Sequence, residues 1–153
     1  IIAAVHYDYM RTNFELQKSI LATRYSDWYI TTILMLIDFF SLANVLYTRW
    51  PWLIASAIAC TLMLISGHRS KQLDSTLLFI LGVVFGIILL TTFLIGTITE
   101  NQPNVWMYIF AAVWLFYPLT FFSKNEFYYN ILDLVSKGIF GLTAAIITFH
   151  ESV

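Results

Sequence analysis

Four ionisable residues lie inside apolar stretches of the sequence: Asp27, Asp38, Asp133 and Lys137. Charged groups in segments that can cross a membrane are costly to bury, so they are candidates for function. Asp133 and Lys137 stand four residues apart and would share one face of a helix. They could form a simple intrahelical ion pair. Alternatively, the neutral amine of Lys137 could form an imine with an aldehyde, and a protonated imine would need Asp133 and Asp27 as counterions.

A second group of polar residues surrounds Asp27. Arg24 precedes it by three residues and Thr31 follows it by four, so both would share its helical face. Asp38 follows Asp27 by 11 residues and would lie on the same face, roughly 16 Å away along the helix axis. One carboxylate near one mouth and another deep toward the opposite mouth is typical of a proton path. The alternative is that both are helix-end charges that reach toward the membrane surface.

An aromatic stripe lies in the fourth apolar stretch. Trp114, Tyr117, Pro118 and Phe121 follow one another at i, i+3, i+4 and i+7, which places them on one helical face. Such a stripe is more often ordinary core packing than a ligand site. Pro118 inside the helix would kink it and free a backbone carbonyl. Flat aromatic walls beside a kink could hold a long conjugated ligand.

The composition indicates a membrane protein. Of the 153 residues, 59% are hydrophobic, 18% are aromatic and only 11% are charged, and the mean hydropathy is +0.77. Soluble domains carry about 25% charged residues, so too few polar groups remain here to cover the surface of a soluble enzyme. A net charge of −1 argues against a nucleic-acid partner, which would favour a basic face. The single cysteine, Cys60, allows no internal disulfide and matches no metal-binding motif.

Five apolar stretches approach the length of about 20 residues that a transmembrane helix needs. They are Trp28–Tyr47, Trp50–Gly67, Thr76–Ile98, Val105–Phe122 and Phe127–Phe149. The polar breaks between them are short, which predicts antiparallel neighbouring helices in one compact bundle. The sequence therefore predicts an all-α membrane protein with a single transmembrane domain over residues 1–153. Because the opening residues IIAAVHYDYM resemble the end of an apolar helix, we expect the chain to begin inside a helix.

Several motifs in combination resemble the microbial rhodopsins, which are retinal-binding, light-driven proteins. The motifs are RYSDWYITT at residues 24–32, the Tyr117-Pro118 pair and LDLVSKGIFG at residues 132–141. HYDYMR at residues 6–11 further resembles the proteorhodopsin branch of that family. The resemblance runs from His6 to about Phe149 and implies a seven-transmembrane-helix rhodopsin bundle. It also implies that the end of the second helix and the third to seventh helices are present, whereas the first helix and most of the second are absent.

The resemblance implies roles for the charged residues. Lys137 would bind all-trans retinal covalently as a Schiff base. Asp27 would be the primary counterion and proton acceptor, and Asp133 would be the second counterion. Asp38 matches the internal proton donor, although proteorhodopsins usually have Glu at that position. A carboxyl group of either kind can return a proton to the Schiff base.

Further residues of the site are implied by the same resemblance. Arg24 would tune the counterions electrostatically, Thr31 would hydrogen-bond Asp27, and His6 would contact Asp27 and share its proton. Met35 falls on the position that separates green-absorbing from blue-absorbing proteorhodopsins, and a residue other than Gln there indicates green absorption. The residues that would bind retinal besides Lys137 are Trp28, Met35, Trp114, Tyr117, Pro118 and Phe121.

The resemblance implies a light-driven proton pump, not an enzyme, which moves protons outward in the family topology. The expected context is a multi-pass protein of the cell membrane, with retinal, lipid and protons as partners and a homo-oligomeric ring as the assembly. Asp27 argues against a chloride pump, and Asp27, Thr31 and Asp38 do not match the Asn-Asp-Gln set of a sodium pump. A photosensor is an alternative, although photosensors usually lack the carboxyl that Asp38 supplies. An ion-coupled transporter without retinal would explain Asp133 and Lys137 but not the aromatic patterns.

Overall fold

A computed structural model of the chain describes residues 17–98, 105–121 and 126–151. Within these ranges the backbone forms helices joined by turns, with no strand. In chain order the helices are α1 (Gln17–Leu42), α2 (Trp50–Leu73), α3 (Thr76–Thr97), α4 (Val105–Trp114), α5 (Tyr117–Phe121) and α6 (Glu126–Glu151). The all-α bundle that the sequence predicts is confirmed in the described part of the chain.

Two of the described helices, α2 and α3, are each long and apolar enough to cross a membrane. Only 28% of the most apolar window of α2 and 17% of that of α3 are buried inside the chain, so most of their apolar side chains face outward. An outward apolar face suits a helix that lies in lipid, where backbone groups are satisfied within the helix itself. The helices α1 and α6 carry the charged residues of interest, and α4 and α5 form a shorter apolar segment, Val105–Thr120.

The connection between α2 and α3 is a tight turn, which makes the two helices antiparallel neighbours. Asp74 ends α2 in the left-handed region, with φ 49° and ψ 42°, and its N–H donates to the carbonyl of Ser70. The Ser75 side chain accepts a hydrogen bond from the N–H of Leu78 and so caps the start of α3. The left-handed residue Asp74 is followed directly by the capping serine, Ser75, so the chain reverses direction within a short turn.

The opposite end of α3 is held by Arg49, which precedes α2. Its Nη1 donates to the carbonyl oxygens of Ile95 and Ile98, at 2.7 and 3.2 Å. These are carbonyls of the last helical turn, which have no partner within the helix. Close packing continues at Gly96, where a Cβ atom would lie 2.5 Å from Cζ of Phe40 and 2.8 Å from Cβ of Trp52. The chain therefore needs glycine at this crossing of α1, α2 and α3.

The fourth predicted stretch is interrupted just before Pro118. The backbone turns at Leu115 and Phe116, which separates α4 from α5. The N–H of Phe116 donates to the carbonyl of Val113 at 3.1 Å, a tighter pattern than that of an α-helix. Pro118 has no N–H to offer the carbonyl of Trp114, four residues earlier. The kink predicted from Pro118 is thus present as a break between two short helices.

Four phenylalanines from four helices form an aromatic layer, defined here as Phe39, Phe93, Phe110 and Phe140. The ring of Phe39 lies 4.3 Å from Phe110, 5.1 Å from Phe140 and 5.6 Å from Phe93 between centroids. Phe39, Phe93 and Phe110 are at most 1% exposed. Edge-on and tilted ring contacts of this kind add to the stabilisation from apolar burial. The aromatic layer therefore ties α1, α3, α4 and α6 together.

Candidate functional site

The centre of the site is an ion cluster that joins α1 to α6. Lys137 Nζ donates to Oδ2 of Asp133 at 2.9 Å and to Oδ2 of Asp27 at 3.1 Å. Asp27 is 3% exposed and Asp133 is 4% exposed, so both carboxylates are withdrawn from water. Buried carboxylates need a cation and hydrogen-bond donors to offset their lost hydration. The structure thus brings together the three residues that the sequence analysis placed at the centre of the chemistry.

Helical spacing explains why α6 presents this chemistry on one face. Tyr129, Asp133, Lys137 and Phe140 follow one another at steps of three or four residues, and Ser136 lies three residues after Asp133; all five are buried or half-buried. Exposed apolar side chains lie elsewhere on the helix: Ile131, Leu134, Val135 and Leu142. One face of α6 therefore carries the buried polar groups that this helix contributes to the site.

The hydroxyl group of Tyr117, with that of Ser136 beside it, lies next to Oδ1 of Asp133, the carboxylate oxygen that does not contact Lys137. Tyr117 Oη donates to Oδ1 of Asp133 at 3.0 Å and lies 3.1 Å from Oγ of Ser136. Ser136 Oγ also lies 3.1 Å from the backbone carbonyl of Asp133, to which it can donate. Each carboxylate oxygen of Asp133 thus accepts a hydrogen bond, one from α5 and one from Lys137. The kink at Pro118 sets the position of α5 and hence of the Tyr117 hydroxyl.

Arg24 lies one turn before Asp27 and is held by α6. Its Nη2 donates to Oδ1 of Asn130 at 2.8 Å, and its guanidinium lies 5.3 Å from the ring centroid of Tyr129. Lys71 Nζ lies 4.4 Å from the same centroid. Arg24 is 6% exposed, so its positive charge acts on the neighbouring carboxylates through a medium of low dielectric constant. This position suits the electrostatic role that the resemblance implies for Arg24.

Thr31 contacts Asp27 through the backbone. Its Oγ1 donates to the Asp27 carbonyl oxygen at 2.8 Å. Threonine in a helix often donates to the carbonyl four residues earlier, because its hydroxyl is short and close to the preceding turn. This bond stabilises the backbone of α1 at Asp27, and the role that the resemblance implies for Thr31 stays a prediction.

The remaining predicted polar residues lie apart from the ion cluster or outside the described residues. Asp38 is exposed on α1, next to Phe39 of the aromatic layer. It follows Asp27 by 11 residues, which places it roughly 16 Å along the helix axis from the ion cluster. His6 and the side chain of Phe121 lie outside the described residues.

A cavity of about 330 Å³ begins at the ion cluster and extends between the helices. Five of the six side chains predicted to bind retinal line it, as do the ion-cluster residues of α6: Trp28, Met35, Trp114, Tyr117, Pro118, Asp133 and Lys137. The ring of Tyr117 stands nearly perpendicular to Trp28, at 5.5 Å and 88° between planes, and 6.1 Å from Trp114. An apolar cavity with flat aromatic walls and a lysine amine in its lining fits an extended polyene aldehyde.

Two indole groups of the cavity wall have unused donors. No described group accepts a hydrogen bond from the buried Nε1–H of Trp28 or of Trp114. Buried donors are usually paired, so these two N–H groups favour a cavity that also admits a polar atom or a water molecule. The residues present therefore fit a ligand that is apolar along its length and polar at the end bound near Lys137.

The comparison with known families agrees with this geometry. Residues 1–150 match the family model described as bacteriorhodopsin-like protein. The chain belongs to the bacteriorhodopsin-like proteins. No curated protein and no solved structure matches it. The resemblance found in the sequence motifs is therefore confirmed, and this bacteriorhodopsin-like chain is a retinal-binding microbial rhodopsin of the membrane.

Sequence reasoning did not single out several residues that the structure places at the site. Ser136 and Asn130 each lie three residues from Asp133 on α6. This spacing alone could have predicted that both share the helical face of Asp133. Tyr129 becomes notable only when Arg24 and Lys71 are placed near its ring, because those residues come from other helices.

Proposed function

We propose that this bacteriorhodopsin-like protein is a light-driven proton pump in which Lys137 carries all-trans retinal. One observation supports this most directly: the Lys137 amine lies within hydrogen-bond distance of two buried carboxylates, those of Asp27 and Asp133, at one end of an aromatic-walled cavity. When it is bound through its aldehyde carbon to this amine, retinal supplies the absorption of visible light and a light-driven change of shape.

Asp27 is the proposed proton acceptor. Its Oδ2 is 3.1 Å from Lys137 Nζ, a distance across which a proton can pass directly. Asp133 is nearer, but both of its carboxylate oxygens already accept hydrogen bonds, from Lys137 and from Tyr117. A proton on Oδ1 of Asp133 would compete with the hydrogen bond from the Tyr117 hydroxyl. Transfer to Asp27 instead carries the proton away from α6, toward α1 and Arg24. Asp133 thus acts as the counterion that keeps its charge.

The aromatic layer is the proposed barrier to protons. It keeps the proton that leaves Lys137 from returning along the path by which Asp38 supplies the next proton. Phe39 follows Asp38 directly on α1, and its ring packs against Phe110 and Phe140. Water is excluded from such a layer, which restricts the entry of protons at this part of the bundle. Asp38 is the proposed donor, and its proton reaches Lys137 only when water enters the space between the two residues.

Measurement of external pH during illumination tests the proposal. Cells or vesicles that contain the full-length protein with retinal should change the pH of the medium when illuminated. Acidification around cells would support the outward direction of the family topology. A protonophore should abolish the change, and Lys137→Ala should show none under the same light. Pigment that absorbs and recovers normally but moves no protons would contradict the pump.

A photosensor is the second candidate, and a specific observation favours it. Asp38 is exposed and lies roughly 16 Å along α1 from Asp27, a distance that would slow the return of a proton. A slow photocycle is useful to a sensor because its signalling state persists. The same illumination experiment separates the two functions, since a sensor gives a photocycle without net transport.

A further inference from the structure

Arg24 and its partners on α6 lie one helical turn from the ion cluster. On α1, Arg24 precedes Asp27 by three residues. On α6, Asn130 precedes Asp133 by three residues and Tyr129 precedes it by four. Three or four residues make about one turn, which is about 5 Å along the helix axis. The groups that hold Arg24 therefore also set its distance from the two buried carboxylates.

Both described contacts of Arg24 with α6 are made to uncharged groups. Its Nη2 donates to the amide oxygen Oδ1 of Asn130 at 2.8 Å. Its guanidinium carbon lies 5.3 Å from the ring centroid of Tyr129, within the range of a cation–π contact. An amide oxygen and a ring face attract a cation without cancelling its charge. These two contacts therefore hold the side chain and leave its charge to act on the carboxylates of Asp27 and Asp133.

Lys71 of α2 adds a second positive charge at the ring of Tyr129. Its Nζ lies 4.4 Å from the same ring centroid that Arg24 approaches. Two cations near one ring repel each other, and water screens this repulsion little because Arg24 is only 6% exposed. The hydrogen bond to Asn130 opposes the repulsion, because it ties Arg24 to α6 whereas Lys71 belongs to α2.

Asn130 is the member of this group that can be altered without disturbing the core. Its side chain is exposed, whereas Arg24 is 6% exposed and Tyr129 is 5% exposed. Replacement by Asp keeps an oxygen for Arg24 and nearly the same shape, but it adds a negative charge. A residue that serves only folding would tolerate this change, because a carboxylate binds a guanidinium at least as well as an amide does.

We propose that Asn130, together with the ring of Tyr129, is a positioning residue whose neutrality keeps the charge of Arg24 directed at Asp27 and Asp133. The inference rests on the proposed function, in which these carboxylates balance the positive charge of retinal-bound Lys137. A negative charge at residue 130 would offset the charge of Arg24. A carboxylate of the ion cluster would then accept a proton more readily.

The test is a pH titration of the visible band, with all-trans retinal bound to the full-length protein. Acid should shift the band to longer wavelength, because protonation removes a negative charge beside Lys137. The measured quantity is the midpoint pH of that shift, which does not depend on the yield of folded protein. Asn130→Asp should raise the midpoint by about one pH unit, since a like charge nearby disfavours an ionised carboxylate. Asn130→Ala should raise it less, because it loosens Arg24 without adding a charge.

Two matched comparisons make the result specific. Asn44→Asp adds the same charge at an exposed asparagine in the turn after α1, and Asp tolerates the left-handed φ of 54° there. Asn44 follows Asp27 by 17 residues, so this variant should keep the wild-type midpoint. Tyr129→Phe keeps the ring and should also keep the midpoint, whereas Tyr129→Leu should raise it. If Tyr129→Leu does not fold, the variants of the exposed Asn130 decide the outcome.

Thermal denaturation of the retinal-free protein separates positioning from folding. Asn130→Asp should denature at the wild-type temperature or above it, because an acceptor for the Arg24 hydrogen bond remains. A raised midpoint in a variant of undiminished stability is the result expected of a positioning residue. A lower denaturation temperature in Asn130→Asp would mean that Asn130 acts through folding and would overturn the proposal.

Failure of this inference can be told apart from failure of the proposed function. A wild-type protein that forms no pigment with retinal would overturn the attachment at Lys137, and a band that acid does not move would overturn the counterion roles. A pigment that titrates, but with one midpoint in both Asn130→Asp and the wild type, would overturn the positioning role alone. An equal rise in Asn44→Asp would overturn it as well, because the cause would then be overall charge.

Discussion

The two halves of α1 carry the same acidic residue type in very different surroundings. Asp27 is 3% exposed and bonded to Lys137, whereas Asp38 is exposed beside Phe39 of the aromatic layer. Leu34 lies on the same helical face between them and is 48% exposed. The face is therefore covered only where α6 approaches α1. Burial and partners, not residue type, separate a carboxylate that can exchange a proton with Lys137 from one that faces outward.

The largest effect is expected from removing the cation of the ion cluster. Lys137→Ala should abolish visible absorbance after addition of all-trans retinal, because no amine remains in the cavity to bind the aldehyde. It also leaves two buried carboxylates without their cation, which should lower the free energy of unfolding by about 3 kcal/mol. The absorption spectrum measures the first effect and thermal denaturation the second.

Lys71→Ala is the matched control for that variant, because Lys71 is a lysine of α2 that does not line the cavity. It should keep the visible band. An unchanged spectrum in Lys137→Ala would remove the assignment of the attachment site.

A smaller but still decisive effect is expected at the buried carboxylate of α1. Asp27→Asn should stop light-driven transport and shift the visible band to longer wavelength, because it removes a negative charge 3.1 Å from Lys137 Nζ. Absorption spectra and external pH report the two changes. Asp74→Asn is a suitable control, since Asp74 is exposed in the turn after α2 and Asn tolerates its left-handed backbone. Transport that survives in Asp27→Asn would place the acceptor at another group.

The exposed carboxylate should affect kinetics and leave the spectrum unaltered. Asp38→Asn should keep the visible band, because the residue does not line the cavity and lies roughly 16 Å along α1 from Asp27. It should slow the late recovery of the photocycle by about a hundredfold, the usual contribution of a positioned acid. Azide, a small proton carrier, should restore the rate. Flash spectroscopy measures the recovery, and a normal rate in Asp38→Asn would deny this residue the donor role.

The smallest effect is expected from the hydroxyl that orients Asp133. Tyr117→Phe removes the donor 3.0 Å from Oδ1 of Asp133 but keeps the aromatic wall of the cavity. The free energy of unfolding should fall by about 1–2 kcal/mol, because a buried acceptor loses its partner. Thermal bleaching of the pigment measures this loss. Tyr108→Phe, on the half-exposed side of α4, should bleach like the wild type, and equal bleaching in both variants would contradict the role of Tyr117.

Much of the site follows from spacing along single helices. The interval between Asp133 and Lys137 is one helical turn, and the structure has the ion pair that this interval allows. The kink at Pro118 follows from its missing N–H, whatever surrounds it. The aromatic residues near Pro118 were predicted to form a wall, and Trp114, Tyr117 and Pro118 line the cavity.

Contacts between residues of different helices could not be predicted from spacing along a single helix. The hydrogen bond from Arg24 to Asn130 joins residues 106 positions apart, and the ion pair of Lys137 with Asp27 spans 110. Met63, Gly82 and Gly86 line the cavity because α2 and α3 form part of its wall. Neither helix carries a polar motif that would have indicated a ligand.

The amino-acid sequence by itself determined the class of the protein and the helical intervals of its charged residues. These depend on composition and on the fixed period of the helix, which are local properties. Only the tertiary structure decided that Asp27 is buried against Lys137 while Asp38 is exposed. Those outcomes depend on where a second helix lies, because desolvation and packing are set by neighbours distant along the chain.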